Sequence, residues 1–290
     1  MRTRSLLRPR VGAVLALVDP ALGGRVEGVH DLRVAARSLR AALRTLARRP
    51  DSISVRKTRR ALRTAICALA DVRDRDVGRS LLGKLPAGHA DEAALKRRIL
   101  GLSDSDRRVA LTRAVASWPR TLDRLFINLL DLGEPAVRSV IRRTRAEAWQ
   151  QRGRALNVIG SLGRRYDPVR LHELRRRIRS LRYAVEVLAE VDSSAHARVI
   201  LLKPLQSALG DAQDRIVLSR WLMKHAERFG ASDISLASAL RKEAERFRAQ
   251  SVRSHAKFLK LRPRDALNRL ALHVDPAYAP PAIRPRRRSS

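Results

Sequence analysis

Two segments of this 290-residue chain each carry one histidine and three arginines at the same spacing. Residues 29–40 read VHDLRVAARSLR, and residues 171–182 read LHELRRRIRSLR. In both segments the arginines follow the histidine at positions +3, +7 and +10. At about 100° per residue, these four side chains fall within roughly 80° of one helix face. A stripe of planar, forked cations of this kind is suited to binding phosphate oxygens.

Each segment also predicts an apolar edge on the opposite face of its helix. The apolar residues are Leu32, Leu39, Leu43 and Leu46 in the first segment, and Leu174, Leu181, Val185 and Leu188 in the second. Two amphipathic helices are therefore expected, over about residues 26–48 and 168–190, and we call them the first and second signature helix. Asp167-Pro168 forms the N-cap and first position of the second one.

The resemblance between the two halves extends beyond the signature helices. Residues 69–77 (LADVRDRDV) and 209–217 (LGDAQDRIV) share five residues at an offset of 140, which places Arg63 opposite Lys203. Helices carrying arginines at +4 and +7 spacing are also expected in both halves; these arginines are Arg56, Arg60 and Arg63, and Arg138, Arg142 and Arg145. Duplication is the simplest explanation. It predicts repeats over 1–134 and 135–275, followed by a disordered basic tail over 276–290.

An all-α fold is expected, because only 3% of the residues are aromatic while 44% are hydrophobic. Two homologous helical bundles would pack about a pseudo-twofold axis, with their basic stripes lining one groove. The remaining helices are expected at about 5–18, 53–70, 90–101, 104–116, 119–131, 136–161, 194–208, 212–229, 233–259 and 263–273. Turns are expected at residues 78–90 and at the two acidic segments, 69–77 and 209–217.

The formal charge of +34 indicates a polyanionic partner, because such a surplus repels itself in a compact molecule. Of the 62 basic residues only eight are Lys, a bias that fits phosphate recognition and that a GC-rich genome would also produce. No apolar run is long enough to span a bilayer. The N-terminal apolar run is short and is interrupted by Asp19-Pro20, so we expect no secretory signal and a cytoplasmic protein.

The candidate catalytic groups do not form a recognisable active site. His30-Asp31 could open a metal-dependent phosphohydrolase site, but no second cluster with ligand spacing follows. Glycine-rich phosphate loops and Gly-x-Ser-x-Gly elbows are missing from the sequence. Cys67 is expected to be a small buried residue, and His30 and His172 have capping or buried structural roles as alternatives. The aspartates of the acidic segments, Asp71, Asp74, Asp211 and Asp214, are interpreted as helix N-caps or ion-pair partners rather than metal ligands. We therefore expect a binding protein without a metal or cofactor.

At these motifs the sequence resembles the CHAD family, the conserved histidine α-helical domains. The resemblance rests on residues 29–40, 171–183 and 203–211, and covers nearly the whole chain except the tail. It implies two four-helix bundles related by pseudo-twofold symmetry around a basic central channel that binds inorganic polyphosphate, in proteins found on polyphosphate granules. The chain departs from the pattern at position +14, where Arg44 in the first half corresponds to Glu186 in the second. A triphosphate tunnel domain, a frequent partner in this family, is absent, so its hydrolase activity does not transfer.

The leading hypothesis is a non-enzymatic polyphosphate-binding protein. Its alternatives are a non-specific nucleic-acid-binding protein and a polyphosphate hydrolase. The predicted phosphate contacts are the signature residues with the arginines and lysine of the adjoining helices: His30, Arg33, Arg37, Arg40, Arg44, Arg60, Arg63, Arg138, Arg142, Arg145, His172, Arg175, Arg179, Arg182 and Lys203. His30 and His172 are expected to face one another across the channel.

Overall fold

A computed structural model describes residues 4–85, 90–119, 122–123 and 135–270. Within these ranges the chain is built of helices and turns, without a β-strand. The α-helices are α1 (Arg4–Ala16), α2 (Val18–Leu22), α3 (Val26–Ala42), α4 (Ile53–Gly83), α5 (Ala90–Ser117), α6 (Val137–Leu162), α7 (Pro168–Ala189), α8 (His196–Phe229), α9 (Ile234–Lys260) and α10 (Pro263–Asn268). A 3₁₀ turn, Ser193–Ala195, precedes α8. The all-helical prediction is confirmed.

The signature helices are α3 and α7. Helix α7 begins at the predicted cap, where the Asp167 carboxylate accepts hydrogen bonds from the backbone N–H groups of Val169 and Arg170. Helix α3 is shorter than expected, because it ends at Ala42 and the chain continues in turns to residue 52. Leu43 and Leu46 are buried all the same.

The acidic segments 69–77 and 209–217 are not turns, as the sequence suggested, but lie inside α4 and α8. Their apolar residues keep the helical spacing through the aspartates, as Leu69 and Val72 show in the first segment and Leu209 and Ala212 in the second; all four are buried. This continuous buried stripe outweighs the local turn signals.

Three other boundaries were also wrong. Gly101 lies within α5, so the helices predicted at 90–101 and 104–116 are one, and residues 78–83 continue α4 rather than forming a turn. The first predicted helix, 5–18, is divided into α1 and α2, and Pro20 lies within α2. The helix predicted at 119–131 falls largely outside the described residues, and the tail 276–290 falls entirely outside them.

Three main hydrophobic clusters hold the helices together. The first buries the leucine edge of α3 among residues of α1, α2, α4 and α5, and also contains Val140 and Val187 of the second half. The second buries most of the apolar edge of α7 against α6 and α8, while Leu188 joins a small separate cluster. A third combines Leu82 and Ile99 with residues of α8 and α9. Helix α3 also packs on α7, and α4 on α8, so the two signature helices are neighbours.

Candidate anion-binding cleft

An open cleft of about 1530 Å³ lies beside the signature helices. Helices α3, α4, α6 and α7 and the turn after α3 form its walls. Its lining contains ten arginines: Arg33, Arg37, Arg40, Arg44, Arg59, Arg63, Arg154, Arg176, Arg177 and Arg179. Only one carboxylate, Glu147, lines it among the described residues. The excess of positive charge raises the electrostatic potential in this cleft, and such a potential attracts anions.

The +3 and +7 arginines of both signature helices lie close enough to influence one another's pKa. Arg33, Arg37 and Arg179 line the cleft, and Arg175 lies beside them, outside the lining. Burial lowers the pKa of Arg179 to about 9, and Arg37 and Arg175 are the charged residues that lower it most. Burial also lowers the pKa of Arg33 to about 10, and Arg37 is again the charged residue with the largest effect. Both guanidiniums stay protonated at neutral pH, so four positive charges from two helices share one low-dielectric region. We call Arg33, Arg37, Arg175 and Arg179 the central cluster.

Two matching aspartates lie next to the central cluster. Burial raises the pKa of Asp74, while the positive charges of Arg33 and Arg75 act to lower it. Burial likewise raises the pKa of Asp214, and Arg175 and Arg73 act to lower it. The Arg175 guanidinium lies 3.9 Å from the Asp214 carboxylate. Asp74 and Asp214 are equivalent positions of the repeat, and both lie in mid-helix. The N-cap interpretation of these residues is therefore wrong, and the ion-pair interpretation fits.

The two signature histidines were expected to face one another across the channel, but only His172 lines this cleft. His172 lines the cleft; burial lowers its pKa, a hydrogen bond with Gln213 acts in the opposite direction, and Arg175 lowers it. His30 is not part of the lining. Burial lowers its pKa most, and Arg73 lowers it more than any other charged residue does. Only His172 is thus placed to touch an anion in this cleft.

The structure brings together some of the other predicted site residues and not the rest. Arg40, Arg44 and Arg63 line the cleft. Arg145 and Arg182 lie outside the lining, in ion pairs with Asp192 at 2.9 Å and Glu186 at 3.3 Å. Arg175 also lies outside the lining and is half-buried, and the remaining predicted arginines and lysine outside it are exposed: Arg60, Arg138, Arg142 and Lys203.

Sequence reasoning missed four arginines of the cleft: Arg59, Arg154, Arg176 and Arg177. Arg59 lies one residue before the predicted Arg60, and with Arg63 it forms an i, i+4 pair that leads toward Ile66 and the cleft floor. That spacing could have identified it, had the buried face of α4 been known. Cys67 was expected to be buried but is exposed and lines the same cleft.

Two further features of the described residues bear on other kinds of function. No group of three or more histidine, cysteine, aspartate or glutamate side chains in this part of the chain could hold a metal ion. Among the described helices, none combines the length and hydropathy needed to cross a membrane.

Comparison with known proteins identifies similar chains. The model of the CHAD domain family matches residues 5–223. PptA from Streptomyces chartreusis has a similar structure, with a TM-score of 0.67 and 19% identity over 90% of this chain and 98% of that chain. The CHAD domain from the plant Ricinus communis also gives a TM-score of 0.67 and 19% identity, over 93% of this chain and 91% of that chain. At this identity the likeness shows the fold. No curated protein matches the chain.

Proposed function

The chain belongs to the CHAD domain family, and we propose that its basic cleft binds inorganic polyphosphate without catalysing a reaction on it. The observation that supports this most directly is the central cluster, in which two arginines from α3 and two from α7 face the same region. A chain of phosphates offers repeated negative charges and no base or ring to recognise. Guanidiniums held on rigid helices match it with little loss of conformational entropy on binding.

The proposal includes the symmetry expected from the duplication. Residues 1–134 and 135–275 would form two helical bundles related by a pseudo-twofold axis that passes close to the α3–α7 contact. The equivalence of Arg37 and Arg179 within the central cluster supports this arrangement, as do the matching positions of Asp74 and Asp214.

The central cluster is tested by replacing Arg37 and Arg179 with glutamine, a pair we call the central variant. Neither arginine forms an ion pair with a carboxylate among the described residues, so their replacement leaves no buried acid without its partner. We expect affinity for long-chain polyphosphate, measured by isothermal titration calorimetry, to fall by at least about 100-fold, since each lost charge-assisted hydrogen bond is worth about tenfold or more. Wild-type affinity in the central variant would refute the proposed function.

A matched control removes two positive charges elsewhere. Arg97 and Arg108 lie exposed on α5, outside the cleft lining. The Arg97→Gln/Arg108→Gln variant has the same net charge as the central variant, and we expect its affinity to stay within about threefold of wild type, because screened surface charges act weakly at physiological salt.

The alternative functions are tested with the same protein. At physiological salt and equal phosphate concentration, polyphosphate should displace DNA from the protein, because three tryptophans and three tyrosines offer little base stacking. Displacement of polyphosphate by DNA would favour nucleic-acid binding. Release of inorganic phosphate from polyphosphate in the presence of Mg²⁺ or Mn²⁺ would indicate a hydrolase.

A further inference from the structure

The two halves of the cleft are unequal beyond the central cluster. Four residues of the first half extend away from it, and we call them the first arm: Arg40, Arg44, Arg59 and Arg63. Their equivalents in the repeat, at an offset of 142 for the signature helix and 140 for the following helix, form the second arm: Arg182, Glu186, Val199 and Lys203. Four cations in one arm correspond to two cations, one carboxylate and one apolar side chain in the other.

The first arm is a cluster of cations that largely lack carboxylate partners. All four side chains line the cleft. Among the described residues, Arg40, Arg59 and Arg63 form no ion pair with a carboxylate, while Arg44 lies 3.2 Å from Glu147. Burial lowers the pKa of Arg40, and the next largest causes are Arg59 and Arg63, so these guanidiniums lie close enough to repel one another. An anion placed among them would relieve that repulsion.

The positive charge of the second arm is partly neutralised by its own carboxylate. Arg182 lies 3.3 Å from Glu186, and it is outside the cleft lining. Burial raises the pKa of Glu186, and Arg182, Arg10 and Lys203 oppose this, so the carboxylate is surrounded by cations. Arg10 in turn forms an ion pair with Glu190. These contacts occupy the Arg182 guanidinium, while Lys203, the other cation of the second arm, is exposed and lies outside the cleft lining.

A further cavity continues the first arm. It is open to solvent, shares Arg44, Arg59 and Glu147 with the cleft, and also contains the carboxylate of Asp51. It adds the side chain of Arg143, which donates hydrogen bonds to the backbone carbonyls of residues 47 and 48. A path on which guanidiniums outnumber carboxylates therefore leads from the central cluster along the first arm, away from the second.

Resting on the proposed function, we propose that polyphosphate occupies a one-sided track in this protein. The polyanion runs from the central cluster along the first arm, and Glu186 closes the second arm to it. The duplicated fold would thus hold an asymmetric binding site, because residue +14 of the second signature is a carboxylate.

Two variants of equal charge test this asymmetry. Arg40→Gln/Arg63→Gln removes two charges from the first arm, and Arg182→Gln/Lys203→Gln removes the equivalent two from the second. By calorimetry with long-chain polyphosphate, we expect the first pair to weaken binding by about 30-fold or more and the second by less than about threefold. Equal losses in the two variants, or a larger loss in the second, would overturn the one-sided track.

The central variant separates this inference from the function on which it rests. If the central variant loses affinity while the first-arm variant binds like wild type, polyphosphate binding stands and the track is wrong. If the central variant itself binds like wild type, the proposed function fails.

A second test opens the closed arm. Glu186→Gln keeps the side-chain size but removes the charge that holds Arg182, so affinity should rise by about fivefold or more. The matched control is Glu245→Gln, which removes an exposed carboxylate paired with Arg248 outside the cleft. An equal gain in affinity in both variants would mean that only the net charge matters, and it would contradict the closing role of Glu186. The absence of a gain in both variants would contradict that role too. Thermal unfolding verifies that each variant is folded.

Discussion

The arginine at +3 of each signature helix interacts with groups of the protein itself, and of the two only Arg33 lines the cleft. Arg33 is 8% exposed and donates a hydrogen bond to the Ile66 carbonyl, 2.7 Å away. Arg175 faces the Asp214 carboxylate. The +7 arginines, Arg37 and Arg179, have no carboxylate partner among the residues described. Replacing a +3 arginine would therefore disturb the helix packing together with the site, whereas the +7 arginines report binding more directly.

His172 should make polyphosphate binding stronger as the pH falls. Burial holds its pKa below the ordinary value of 6.5, a hydrogen bond with Gln213 acts in the opposite direction, and Arg175, Arg176 and Arg179 lower it, so the free imidazole is neutral at pH 7. A bound phosphate favours the charged form and raises this pKa. Affinity then increases as the pH falls through the bound-state pKa and levels off below the free-state pKa, by about tenfold for each unit between them.

Calorimetry at pH 7.5, 6.5 and 5.5 checks this dependence, with His172→Gln as the test and His30→Gln as the control. His30 lies outside the cleft lining, and burial and then Arg73 lower its pKa too. We expect the pH dependence to be reduced in His172→Gln and kept in His30→Gln. A pH profile in His172→Gln that matches the wild type would exclude His172 as the titrating group.

At the scale of single helices, α7 depends on its N-cap. Asp167 accepts hydrogen bonds from the N–H groups of Val169 at 2.9 Å and Arg170 at 3.1 Å. Asp167→Ala should lower the free energy of unfolding by about 1 kcal/mol, measured by urea denaturation. Ser52→Ala is the comparison, because the Ser52 hydroxyl caps α4 through one longer bond of 3.3 Å to the Val55 N–H. A smaller loss in Asp167→Ala than in Ser52→Ala would contradict this ranking.

Helices α4 and α5 are joined by one buried and one exposed ion pair. The Asp76 side chain is 1% exposed and accepts a hydrogen bond from Arg107, which also donates to the Gly24 carbonyl at 2.8 Å. Asp76→Ala should lower the free energy of unfolding by about 3–5 kcal/mol, because it leaves the largely buried Arg107 guanidinium without its carboxylate partner.

The exposed pair between Arg79 and Asp104 provides the control for this prediction, since it joins the same two helices. Asp104→Ala should cost less than about 1 kcal/mol, because solvent screens both charges. Urea denaturation of both variants gives the comparison. Equal losses would mean that burial does not set the strength of the Asp76 pair.

The sequence predicted which residues are buried better than it predicted where helices end. The 3.6-residue period identified the edges containing Leu32 and Leu174, because burial of apolar side chains repeats along a helix. Local turn signals misled at Gly101 and at the acidic segments, because the packing of neighbouring helices decides whether a helix continues. That packing is a tertiary property, and local residue preferences do not contain it.

The same limit applies to the site. Spacing identified Arg37 and Arg179 correctly as residues of one cleft, because the repeat shows that they are equivalent and each lies on a basic helix face. It could not show that Arg145 pairs with Asp192, since Asp192 lies 47 residues from its partner. The four-residue spacing of Arg182 and Glu186, in contrast, is compatible with an ion pair within one helix. The sequence alone shows that Glu186 stands where the first half has Arg44, but only the packed helices show which arginines line the cleft.

At the scale of the whole molecule, the net charge of +34 has different consequences at the exposed surface and in the cleft. Many arginines are exposed, and water and salt screen their repulsion. The cleft concentrates ten arginines around one carboxylate among the described residues, in a place where burial lowers several of their pKa values. The fold therefore carries an electrostatic cost at the site that an anion would remove.

Anions that enter the cleft should accordingly stabilise the folded protein. Long-chain polyphosphate at 100 times its dissociation constant should add about 2.7 kcal/mol to the free energy of unfolding, because it binds the folded state.

Sulfate should raise the melting temperature more than chloride at equal ionic strength. Since sulfate stabilises proteins in general by exclusion from their surface, the informative quantity is the difference between wild type and the central variant in differential scanning calorimetry. With Arg37 and Arg179 replaced by glutamine, the site-specific part of the sulfate effect should disappear. Equal shifts in the two proteins would mean that repulsion among the cleft arginines contributes nothing measurable to stability.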